Sequence, residues 1–339
     1  MTNYTDKMKM PTFTVDNTTN ASGVEIPGIK RMFDIGLALK DSMMLWGFAG
    51  TGKSQSVHQW NKQKVDEYNK RILAGEKIKP WNPVVCDVRL SMKEPVDMQG
   101  IPVPVKNGNE TQTVWAIPSM WPRETDDFSG GVIFLGEMNQ GQPAILNAAF
   151  QLIQDRALGD YKVPEGYMIV AASNPSSINS SVSEFSIPLS NRFSHFNVKV
   201  DFNSWLDYRL NNGGNVDVMS FLKTQGAGML YDTKNVEDRI GDVDNCLYTD
   251  IVVTPRSWEV IENLLNLPEE QFSLEEKHYY ATGRLGSGIA AKLFAYIKDK
   301  AKYQDCMEIL RDGKTFRSEE MDQFWATQIS CINVINQTK

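Results

Sequence analysis

The stretch "GFAGTGKS" at residues 47–54 satisfies the pattern G-x-x-x-x-G-K-[ST] in full. Before it stands "SMMLWG" at residues 42–47, a short apolar run ending on glycine. After it comes a helical pattern that ends near Gly75. Strand, glycine loop and helix in that order form a phosphate cradle: glycines let the loop wrap an anion with backbone N–H groups, and the helix start adds its partial positive charge. The cradle comprises Gly47, Ala49, Gly50, Thr51 and Gly52, with Lys53 placed to neutralise the β- and γ-phosphates of ATP and the Ser54 hydroxyl to ligate Mg²⁺.

Working outward, "NPVVCDVRLS" reads as a β-branched strand, and "KEPVDMQG" begins another element. The apolar stretches "IPVPV" and "TQTVWA" flank "KNGNE", whose Asn107-Gly108 pair signals a hairpin turn. "GVIFL" is a buried strand. A helix follows over about residues 142–154, with Ile145, Ala148, Ala149, Leu152 and Ile153 on one face. "LGDYKVPEG" reads as a turn before the strand "YMIVAAS", which closes on Asn174-Pro175. Strands alternating with helices predict an α/β fold, a parallel sheet covered by helices. From about Asp201, past the Gly/Asn-rich "NNGGN", the patterns turn helical. The expected organisation is a flexible tail at residues 1–23, an α/β core at 24–203 and a smaller helical domain at 204–339.

Composition excludes several classes. Of 339 residues, 41% are hydrophobic and 23% charged, so the chain is neither disordered nor fibrous, and no apolar run reaches the roughly 18 residues of a membrane helix. The polar first residues lack the apolar centre of a secretory signal, which predicts a cytoplasmic protein. Cys86, Cys246, Cys306 and Cys331 form no CxxC pair and read as buried free thiols. His58, His195 and His278 have no metal-site spacing. A formal net charge of −7 argues against a general nucleic-acid binder, since phosphate-backbone affinity rests on clustered Lys and Arg.

In "GGVIFLGEMNQ" at residues 130–140, Glu137 sits where an acid can orient and polarise an attacking water. The metal-anchoring acid expected just before it is replaced by Gly136. Asn174, at the end of "MIVAAS", can hydrogen-bond a γ-phosphate or that water. Arg192 in "SNRFSHF" and Arg256 in "TPRSWE" are the cationic candidates for transition-state charge.

In this order the motifs resemble those of the AAA+ ATPases, and within them the MoxR-like branch. The matches are "GFAGTGKS" as Walker A, "GVIFLGEMNQ" as a Walker B variant, "VAASNP" as sensor 1, "LSNRF" as the arginine-finger helix and "TPRSW" as sensor 2. The resemblance runs from about Val24 to the end of the chain. "PVDMQGIPVP…VWAIPSMWP" looks like the hairpin inserted in helix 2, and "QLIQDRALGDYKVPEGYMIVAASNP" like the pre-sensor-1 hairpin. The resemblance implies a homo-oligomeric ring, usually a hexamer, with Arg192 reaching a neighbouring subunit and Arg256 acting from a helical lid. It also implies remodelling of a protein partner, often one with a von Willebrand factor A domain, and the hairpin near Val103 to Trp115 is the candidate contact. Gly136 departs from the family's aspartate and predicts weak Mg²⁺ use and slow hydrolysis, unless another acid such as Asp87 compensates. That leaves a remodelling ATPase first, a nucleotide-controlled scaffold second and a nucleic-acid motor third.

Overall fold

The computed structural model describes residues 23–108, 110–174, 187–231 and 252–299. The predicted tail, save Gly23, lies outside them, as do Pro175, Cys246, Cys306 and Cys331. The chain divides at Lys199 and Val200 into two compact units.

In the first unit, β1 (Gly23–Glu25) leads directly into α1 (Ile26–Leu39), then β2 (Met43–Trp46), α2 (Lys53–Leu73), β3 (Cys86–Arg89) and the short α3 (Pro95–Gln99). The hairpin β4 (Ile101–Asn107) and β5 (Glu110–Ala116) precedes β6 (Gly131–Gly136) and α4 (Pro143–Asp155). A small hairpin of β7 (Ala157–Leu158) and β8 (Tyr161–Lys162), then β9 (Tyr167–Ser173), α5 (Ile187–Ser190) and β10 (Ser194–Lys199), complete it. Six strands form one parallel sheet in the order β1-β10-β2-β9-β6-β3.

The two central runs explain the layering. β6 and β9 are buried at every position, so they read as unbroken apolar sequence rather than alternating. Val132 and Phe134 pack with Ile29 and Phe33 of α1 and Val57 and Trp60 of α2. Ile133 and Leu135 point the other way, onto Ile145, Ala148, Ala149 and Leu152 of α4. The predicted apolar face of α4 is therefore its buried face. Because every strand runs the same way, their carboxyl ends share one edge: Trp46 pairs with Ser173, and Arg89 with Gly136.

Several local expectations change. The strand in "NPVVCDVRLS" shortens to Cys86–Arg89, since Pro83 has no N–H to donate and Val84 is exposed. "LGDYKVPEG" is the β7–β8 hairpin, pinned by the buried Tyr161. The long hairpin pairs Asn107 with Glu110, so its turn falls one residue beyond the Asn107-Gly108 pair, and Gly108 takes φ 63°. The stretch "LSNRF" overlaps the four-residue α5, and Arg192 lies just past that helix. β1, α1 and β10 carry no signal singled out above.

The second unit is helical throughout its described residues: α6 (Phe202–Asn211), α7 (Val216–Gln225), α8 (Pro255–Leu265), α9 (Leu274–Leu285) and α10 (Ser287–Asp299). Asp201 caps α6 by accepting from the Ser204 N–H, and Asn215 caps α7 in the same way. Trp258, Phe221, Leu222, Ile261 and Leu293 lie in one apolar core. Within it Glu262 is fully buried beside Arg209, whose Nη2 lies 2.5 Å from its carboxylate, yet burial still pushes the carboxyl up to about 7.

Candidate functional site

The glycine loop leaves the end of β2 and delivers the chain to α2. Gly50 and Gly52 take φ 80° and 89°, conformations that L side chains rarely adopt. Gly47 is closed in for a different reason: a Cβ there would lie 3.0 Å from both the Thr51 hydroxyl oxygen and the Val198 carbonyl. Gly52, at the N-cap of α2, has no side chain to close the helix start, the kind of helix N-terminus that suits an anion. The Thr51 hydroxyl donates to the Phe48 carbonyl at 3.0 Å and ties the loop across itself.

Lys53 is the centre of this arrangement. Its ammonium donates to the carbonyls of Gly47 at 2.5 Å and Phe48 at 2.8 Å, and to Asn174 Oδ1 at 3.0 Å. Those acceptors hold the cation at the mouth of the cradle. Asn174 leaves β9 next to β2, and its carbonyl accepts from Asn139 Nδ2 at 2.7 Å. The Asn139 backbone N–H in turn donates to Ser173 Oγ at 3.1 Å. Asn139 is almost fully buried, in the turn after β6. It fastens the turn that carries Glu137 to the strand end that carries Asn174. Nothing in the local spacing of "GEMNQ" distinguishes Asn139, so only the fold reveals its part.

Glu137 has φ 56°, a left-handed conformation that is uncommon outside glycine and turns its side chain off the strand end. Its carboxylate accepts from the Ser91 hydroxyl, and Arg89 Nη1 stands 3.7 Å away. Gly136 precedes it, opposite Arg89 in the β3–β6 register. Arg89 donates to both carboxylate oxygens of Asp87, from Nε at 3.0 Å and Nη2 at 3.2 Å. His58 Nε2 lies 3.8 Å from the same Asp87.

The Mg²⁺ expectation can be tested on these donors. Ser54 offers a half-buried hydroxyl in the first turn of α2. A carboxylate at the end of β6 is missing, and Asp87, the compensating acid considered above, is clasped by Arg89. The donor set does not fit a carboxylate-anchored Mg²⁺. Among the described residues no group of three His, Cys, Asp or Glu could hold a metal ion.

Arg192 donates from Nε to the Pro188 carbonyl at 3.3 Å and stacks its guanidinium 4.6 Å from the ring centre of Phe150 on α4. Arg256 belongs to the second unit, exposed in the first turn of α8. A cation there opposes the helix dipole, at a cost of about 0.3–1 kcal/mol, so helix stability does not explain it. Cys86 is a free thiol donating to the Met120 carbonyl at 3.1 Å, and burial pushes its pKa up to about 12. Among the described residues no helix is long and apolar enough to cross a membrane.

No protein-family model and no curated protein matches the sequence. Among solved structures, a closed-state reconstruction of Hsp104 with ATPγS and FITC-casein is 14% identical, covering 56% of this chain and 36% of that one, with a TM-score of 0.37. A RuvB mutant from Thermotoga maritima is 14% identical, covering 54% and 49%, with a TM-score of 0.34. NtrX from Brucella abortus in complex with ADP is 14% identical, covering 85% and 69%, with a TM-score of 0.36. The matched region spans about a third of the first of these chains and half of the second. Likeness this distant carries no activity to the protein, and the site's own geometry bears the functional reading.

Proposed function

We propose that the protein binds ATP at the residue 47–54 loop as an AAA+ ATPase of the MoxR-like kind, working as a homo-oligomeric ring, usually a hexamer, on a partner protein. The observation that supports it best is the link from Lys53 through Asn174 to Asn139. It joins the phosphate loop to the ends of β9 and β6. Lys53 exchanges its loop carbonyls for phosphate oxygens, Asn174 holds the outer phosphate or the attacking water, and Glu137 orients that water. Arg192 and Arg256 supply further positive charge, the first to a neighbouring subunit. The exposed β4–β5 hairpin contacts the partner, a protein with a von Willebrand factor A domain.

A second reading is favoured by the hold on Glu137: its carboxylate is engaged by Ser91 and neighboured by Arg89, and Gly136 supplies no acid. On that reading the protein is a nucleotide-controlled scaffold that assembles with ATP and hydrolyses it little. Steady-state ATP hydrolysis at ring-forming concentration, beside Glu137→Gln as the blank, separates the two. Turnover clearly above the blank supports the motor, whereas turnover equal to it with ATP binding intact leaves the scaffold. The net charge of −7 weighs against a nucleic-acid motor, which a salt-dependent DNA gel shift would revive.

A further inference from the structure

Gly136 is more than a missing acid, because its space is already taken. A Cβ built there would lie 2.8 Å from Arg89 Cδ and 3.2 Å from Arg89 Nε. The glycine on β6 thus makes room for the arginine stem that crosses it from β3. Asp87 fixes the guanidinium through Nε and Nη2, in the two-point geometry that suits this planar group. Nη1 makes only a 3.7 Å ion pair with Glu137, longer than a hydrogen bond. The Arg89 side chain is 40% exposed, and an anion can reach it.

The cluster also reaches the helix that follows the glycine loop. His58 stands four residues after Ser54 on α2, one helical turn further along the same face, and it reaches Asp87 at 3.8 Å. Asp87 thus links Arg89 to His58 on α2, and Arg89 Nη1 neighbours Glu137. A guanidinium occupies the place where a carboxylate would hold a metal's water shell.

We propose that Arg89 replaces the carboxylate-held metal at this site, donating from its part-exposed guanidinium to the outer phosphate of a nucleoside triphosphate, so that binding does not require a divalent cation. This rests on the phosphate-loop reading above. Arginine suits the part: it is always charged, and it matches phosphate oxygens with paired donors.

The test is titration of the full chain with a fluorescent ATP analogue, once in excess Mg²⁺ and once in EDTA. Wild-type Kd should agree between the buffers within about threefold. Arg89→Ala should weaken binding in EDTA by about tenfold or more, the loss of a charged hydrogen bond. Mg²⁺ should restore part of that loss, because Asp87 is released, and Arg89→Lys should fall between. The double variant Arg89→Ala with Gly136→Asp, in which the new side chain has room, should bind only with Mg²⁺. Wild-type binding that collapses in EDTA overturns the proposal. So does an Arg89→Ala effect that is nil or equal in both buffers, which is what a purely structural ion pair gives. Wild-type binding in neither buffer removes the phosphate-loop reading itself, and the proposal with it.

Discussion

Truncating Lys53 to alanine tests the site at its centre. The ammonium is ringed by the Gly47 and Phe48 carbonyls and Asn174 Oδ1 at 2.5–3.0 Å. Nucleotide binding trades these neutral acceptors for phosphate oxygens. The net gain is about one hydrogen bond to a charged group, roughly 1.5–3 kcal/mol, so Lys53→Ala should raise Kd by about 10- to 150-fold. The fold should suffer far less. The freed acceptors lie at a part-exposed loop and can take water, which limits the cost to about 1 kcal/mol, or a few degrees in Tm for a unit of this size. Fluorescent-nucleotide titration gives the first quantity and a thermal melt the second. A Kd within about twofold of wild type, with the melt unchanged, would show that Lys53 does not meet the phosphates and would refute the phosphate-loop assignment.

Asn139→Ala removes the donor to the Asn174 carbonyl and leaves a small buried void. It should cost about 1–3 kcal/mol in denaturant unfolding and also weaken nucleotide binding through the displaced Asn174. For Glu262, the folded pKa of about 7 lies above the ordinary carboxyl value of 4.5, so the folded state holds this proton more tightly than the unfolded state. Its stabilising contribution is complete below about pH 4.5 and is lost as the pH rises through about 7, on the order of 3 kcal/mol in all. Glu262→Gln should flatten that slope in urea titrations at several pH values. Cys86, with its pKa pushed up to about 12, should resist alkylation at pH 8 in the native protein and react once unfolded, as peptide mass spectrometry will show. Val103→Asp on the exposed β4–β5 hairpin should leave the monomer melt within about 0.5 kcal/mol, so any change in assembly or partner capture reports contact.

Much of the first unit is legible along the chain because its signals are local. The glycine loop is contiguous: its glycine conformations, its lysine and its helix start all belong to residues 47–54. β6 and β9 are legible because strands buried on both faces must be apolar throughout, and α4 because its inward face recurs at helical spacing. Short or half-exposed elements are harder. β10 has one fully buried position, Val198, among its six residues, and β1 is three residues long.

The sequence by itself therefore determined the strand-loop-helix cradle, the alternation that makes a parallel sheet, and the absence of an acid at position 136. It also placed Glu137 and Asn174 at strand ends. Only the tertiary structure decided what fills that missing place. Arg89 and Gly136 are distant along the chain and meet through the β3–β6 register, and Asn139 meets Asn174 only because β6 and β9 pair. Such contacts depend on which strands lie side by side. Nonlocal packing sets that order, and no local residue pattern encodes it.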